Sequence, residues 1–213
     1  MTEDKWLACA DPETLLWFLL RREDLTERKQ RLFAAACCRR IWHLLRDERS
    51  RAAVEVAERW ADGNASPEDL LAAFCLANDA TAELRSEGGA ASYAASAAED
   101  LVDGERLGLW DSWLEASLAG EPGQPEGPAQ AALVRDIFGN PFRPATIVTG
   151  WLSPTVASLA RGIYEDRTFD RLPILADALE EAGCTSGELL DHCRCGGPHV
   201  RGCWAVDLIL GWH

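Results

Sequence analysis

SPEDLLAAFCLANDATAELR, residues 66–85, decides the fold. Ser66 can cap a helix, Pro67 suits the first helical position, and Glu68 and Asp69 put negative charge in the first turn. Leu70, Leu71, Phe74, Cys75 and Ala77 then follow at helical spacing. The segment reads as one amphipathic helix running to about Arg85.

The same grammar recurs on both sides. Asp11-Pro12-Glu13 opens a helix over 14–21, and Thr26-Glu27 opens a longer one to about Arg46, with Leu32, Phe33, Ala36, Cys37, Ile41, Leu44 and Leu45 on its apolar face. Asp47 or Ser50 caps a helix that Gly63-Asn64 ends. Downstream, the pattern predicts helices over 90–98, 105–118 and 129–138, then from Ser153-Pro154, over 169–182, over 189–194 behind a Thr185–Glu188 capping box, and over 202–210. Ile147-Val148-Thr149 could be extended, but almost no period-2 alternation occurs. The expected fold is all-α, an array of about nine or ten short helices joined by short loops, without a substantial sheet.

Residues 120–128 hold three glycines and three prolines, so they read as a loop. The 213 residues then form a single helical domain, or two lobes, 1–119 and 129–213. Asn140-Pro141-Phe142-Arg143-Pro144 reads as a rigid turn. Arg143 and Arg201 are candidate ion-pair anchors to Asp166, Asp170 or Asp207. The nine tryptophans are spread along the chain and are expected mostly as core or inter-helix anchors.

Hydrophobic residues make up 47% and charged residues 26%, enough to bury a core. The net charge of −14 argues against nucleic acid and anionic membranes as partners and leaves room for a basic protein. No apolar run approaches the roughly 18 residues of a membrane span. Thr2-Glu3-Asp4-Lys5 lacks the basic start of a secretory signal, so the expected compartment is the cytoplasm. There the eight cysteines would be reduced thiols, core fillers or metal ligands.

The chemistry-bearing stretch is GCTSGELLDHCRCGGPHVRGCW, residues 183–204. A zinc centre there would use Cys193, Cys195, His199 and Cys203, with Cys184 or His192 in reserve, folded together by Gly196-Gly197-Pro198. Alternatively Cys184, Cys193 and Cys203 are packing residues. A thiol nucleophile would pair Cys203 or Cys193 with His199 and Asp191. Cys37, Cys38 and His43 make a poor metal set, because adjacent helical cysteines point about 100° apart. GxxxxGK[ST], GxGxxG and HExxH are all absent, and no residue is assigned as catalytic or cofactor-binding.

DIFGNPFRP (136–144), WLSPTVASLARGIYEDRTFDRLPILADALEEAGC (151–184), LLDHCR and HVRGCWAVDLILG (199–211) resemble a paralogous group of helical proteins abundant in planctomycete genomes. WLACADPETLLWFL (6–19), RLFAAACCRRIWHLL (31–45) and DERSRAAVEVAERWADG (47–63) fit the same group. The resemblance covers both ends but not residues 64–128, and it implies a helical fold without a particular activity. In the group a Pro-Gly-Pro or similar turn follows His-Cys-Arg. Here Cys195-Gly196-Gly197-Pro198 stands, which makes Cys195 particular to this chain.

The expected function is a non-catalytic protein-interaction module of a regulatory or toxin-neutralising type with a basic partner. The alternative is a zinc-organised module, or a metal- or thiol-dependent enzyme built on the 184–203 cluster.

Overall fold

A computed structural model describes residues 1–22, 25–86, 88–103, 108–120 and 126–212, the side chains of 108–110 excepted. Among these residues there are twelve α-helices and no strand: α1 Glu3–Ala8, α2 Pro12–Leu20, α3 Glu27–Arg40, α4 Glu48–Ala61, α5 Pro67–Arg85, α6 Gly89–Asp100, α7 Gly108–Ala119, α8 Glu126–Phe138, α9 Pro154–Asp166, α10 Leu172–Glu181, α11 Gly187–Arg194 and α12 Trp204–Leu210. The all-α expectation holds.

Local chemistry sets the starts. Asp11 accepts the amides of Glu13 and Thr14, and Ser66 and Asp69 form a reciprocal capping box at α5. Ser153 accepts the Val156 amide at α9, and at α11 the cap is Ser186, accepting the Leu189 amide, rather than a Thr185–Glu188 box.

Some boundaries differ from expectation. The long helix stops at Arg40, and Trp42–Leu44 tightens into a 3-10 turn that keeps Ile41 and Leu45 buried. The segment 169–182 begins as a 3-10 turn, Phe169–Arg171, before α10. Thr149–Trp151 is a 3-10 turn, so Thr149 is not part of an extended piece. Of the expected loop 120–128, residues 121–125 lie outside the described residues. Glu126–Pro128 form the first turn of α8, where a proline needs no amide partner. Arg40 also holds Glu126 there with hydrogen bonds of 2.7 and 3.1 Å. Of the tryptophans with described side chains, Trp6 and Trp113 are buried, whereas Trp17 is exposed.

The chain divides into two compact units. The central unit is Ala10–Ala131, and the terminal unit joins Met1–Cys9 to Ala132–His213. In the central unit α6 is alanine-rich, and Ala91, Ala94, Ala95, Ala97 and Ala98 are buried, so α5 and α7 can approach closely. Cys37 and Cys38 lie in that interior, as packing residues would.

The terminal unit is built on α9 to α12. Ile163, Leu172, Leu175, Leu179, Leu189 and Ile209 are among the residues of its core. Each fully buried Leu or Ile stabilises the unit by about 2 kcal/mol. Cys184, Cys193 and Cys203 belong to the same core. The N-terminal residues are tied in by polar contacts: Arg135 donates to the carbonyls of Trp6 and Cys9 at 3.2 and 2.8 Å.

Candidate metal centre

Four side chains of the terminal unit converge. Asp136 sits in the last turn of α8, among the buried residues Leu133, Val134 and Ile137. His192 is in the last turn of α11, His199 lies in the connection that follows, and Cys203 is the residue before α12. Two glycines with positive φ shape the approach. Gly202 (φ 87°) turns the chain just before Cys203. Gly139 (φ 71°) lies where a Cβ would come within 3.2 Å of the Trp204 indole.

One ligand atom from each of the four lies within 4.8 Å of every other. Asp136 Oδ1 is 2.7 Å from His199 Nδ1 and 3.3 Å from His192 Nε2. Cys203 Sγ is 3.2 Å from His192 Nε2 and 4.0 Å from His199 Nδ1. Bonds of typical zinc length would set tetrahedral donors about 3.3–3.8 Å apart, so the observed separations bracket that geometry. Asp136 is buried and Cys203 fully so, leaving a closed cluster.

The surroundings orient the donors. The Val200 amide donates to Asp136 Oδ2 at 3.0 Å. The Trp204 indole N–H donates to His192 Nδ1 at 3.1 Å. With Nδ1 accepting, the ring proton of His192 is on Nε2, facing Asp136 and Cys203. An ion on Nε2 would displace that proton, so this indole contact is the part of the shell that loading would rearrange.

Electrostatics follow from burial and pairing. Burial opposes ionisation of Asp136, but the hydrogen bonds from His192 and His199 outweigh it and hold the carboxyl below its usual range. Burial would lower His199, and the hydrogen bond and charge of Asp136 more than offset this, pushing it up. Burial, then the Asp136 charge, raise the Cys203 thiol well above its ordinary value. A metal would therefore have to displace protons, and its affinity would rise with pH.

Of the zinc set read from the sequence, His199 and Cys203 are in the cluster, and His192 joins from the reserve. Cys193 points into the core instead, where burial pushes its thiol up to about 12. Cys195 is exposed, with Sγ 3.5 Å from His199 Nε2, on the ring edge away from the cluster. Cys184 is a core residue. Asp136 is the member of the cluster that sequence spacing missed. Its signal was an acid at a core position of α8, opening the DIFGNPFRP word.

The thiol-nucleophile arrangement is also corrected. Asp191 is exposed, and Asp136 is the carboxylate that holds His199. Cys193 and Cys203 are buried with raised pKa values, which disfavours the reactive thiolate. Arg143 pairs with Glu3 at 2.7 Å rather than with a downstream aspartate, and Arg201 lies over the Tyr164 ring at 5.0 Å.

No protein-family model, curated protein or solved structure matches the chain. The resemblance to the planctomycete group thus rests on the sequence words quoted above. Among the described residues, no helix is long and apolar enough to cross a membrane.

Proposed function

We propose that this protein is a zinc-organised helical module in which Asp136, His192, His199 and Cys203 hold one structural Zn²⁺. The observation that carries this is the convergence of four donor atoms within 4.8 Å of one another at a largely buried point. Two imidazoles, a thiolate and one carboxylate form a borderline-soft set that suits zinc, whereas magnesium and calcium favour all-oxygen shells. Four protein donors leave no position for a substrate, which is the pattern of a structural rather than a catalytic ion. The cysteines stand as free thiols, the state that a reducing cytoplasm maintains.

Elemental analysis tests this directly. Purified protein should carry about one equivalent of zinc, and chelation should lower its Tm, because metal affinity is folding free energy. A metal-free preparation whose Tm does not change on adding zinc would remove the proposal.

A module of this kind would act through its surface. The net charge of −14 suits a basic protein partner captured by electrostatic steering. Such a partner, purified and titrated against the module, should dissociate as ionic strength rises. Salt-insensitive binding would argue against charge as the basis of recognition.

A further inference from the structure

The two imidazoles of the cluster are backed differently. Behind His199, on the ring edge away from the other donors, the Cys195 carbonyl lies 3.2 Å from Nε2. A carbonyl only accepts, so Nε2 can keep a ring proton while Nδ1 faces the cluster. That is the support a metal-bound histidine ordinarily has. Behind His192 stands the Trp204 indole, 3.1 Å from Nδ1. An indole N–H only donates, so it needs a bare Nδ1. A neutral imidazole whose Nε2 binds an ion carries its proton on Nδ1, and two donors would then point at each other. The carbonyl contact therefore suits a loaded His199, and the indole contact a metal-free His192.

The indole is the part that can yield. Trp204 is the first residue of α12 and is half-buried, whereas Ala205, Val206 and Ile209 fix that helix in the core. The indole lies against the His192 ring, with centroids 4.7 Å apart and planes tilted by 50°. It also lies against Gly139, which has no side chain to clamp it. His192 has less latitude, because its Nε2 is engaged with Asp136 at 3.3 Å and Cys203 at 3.2 Å.

We propose that Trp204 is a metal-responsive latch, whose indole holds His192 in the metal-free state and swings toward solvent when zinc loads. The latch rests on the zinc reading of the four donors and adds a means of regulating them. Its hydrogen bond stabilises the metal-free state alone, so it opposes loading and weakens zinc affinity. Occupancy of a buried ion is read at the surface as a released indole. By linkage, whatever holds the indole away from His192 raises zinc affinity by the factor that zinc contributes to its release.

The test uses the whole chain, with zinc itself as the probe. Trp204→Phe keeps an aromatic ring against His192 and removes the N–H. Competition against a chromophoric chelator should show it binding zinc about fivefold more tightly than the parent, the change expected for one net hydrogen bond. Nitrogen-15 NMR of the parent gives a second reading that needs no variant to fold. One equivalent of zinc should convert His192 Nδ1 from a bare to a protonated nitrogen and break its hydrogen bond to the indole. If zinc binds but Nδ1 stays bare, or if folded Trp204→Phe binds zinc no more tightly, the latch is overturned and the metal centre stands. If the parent binds no zinc, the metal centre falls and the latch with it.

Discussion

Glu58 and Asp136 are both carboxylates nearly sealed from water, at 2% and 4% exposure, and they are held in different ways. Glu58, in the central unit, is gripped by Arg39 through two hydrogen bonds of 3.2 and 2.7 Å. A guanidinium is always charged and its fork matches a carboxylate, so the pair has one state. Asp136, in the terminal unit, faces two imidazoles and a thiol. Those partners can exchange protons for a metal. Burial alone thus does not mark a functional acid; the kind of partner does.

The largest effect should come from Asp136→Asn, which keeps an acceptor oxygen but removes the charge. Zinc affinity should fall at least about a hundredfold, beyond what losing an outer contact costs. Competition against a chromophoric chelator reads this, and a loss below about a hundredfold would mean that Asp136 only orients His199.

Glu58→Gln should leave zinc content unchanged and lower stability by about 2 kcal/mol. That is below the roughly 3–5 kcal/mol for breaking a fully buried pair, because Arg39 is 26% exposed. Urea denaturation measures it. A change in zinc content would blur the distinction between the two acids.

Asp100 offers a third kind of acid. Burial, then the charges of Asp111, Glu99, Glu115 and Asp103, raise it to about 7. Its folded pKa lies above the unfolded value near 3.8, so the folded state binds the extra proton. Stability should therefore fall as pH rises between those values and level off above about 7. Asp100→Asn should remove this slope and be the more stable protein in mildly alkaline buffer. The gain should be about 1 kcal/mol, allowing for solvent screening at a half-exposed site. Parallel pH profiles of parent and variant would refute the assignment.

The smallest effect is expected from Cys195→Ser, with zinc content and Tm unchanged within error. Loss of zinc would return Cys195 to the ligand set that the sequence spacing first suggested.

The helices were legible because their signals are local: Ser66 to Asp69 at α5, Asp11-Pro12 at α2 and Ser153-Pro154 at α9 each act within one turn. The Glu126 start of α8 was hidden because Gly127 and Pro128 argue against a helix until Arg40, 86 residues away, takes up Glu126. The candidate metal cluster was half legible. His192 and Cys193 are neighbours on α11 and so point about 100° apart. One of them can face the cluster while the other enters the core, and spacing does not say which. Asp136 reaches His199 across 63 residues, a contact that no local pattern encodes.

The discontinuous terminal unit bears on the order in which the protein is made. Residues 1–9 leave the ribosome before the central unit, yet the rest of their unit, 132–213, is made after it. The central unit is one continuous stretch and can fold as it emerges, since domains generally fold as units during synthesis. Until Arg135 and the helices beyond it arrive, the Trp6 segment has no unit to join, so a large indole waits in the nascent chain while the central unit is made.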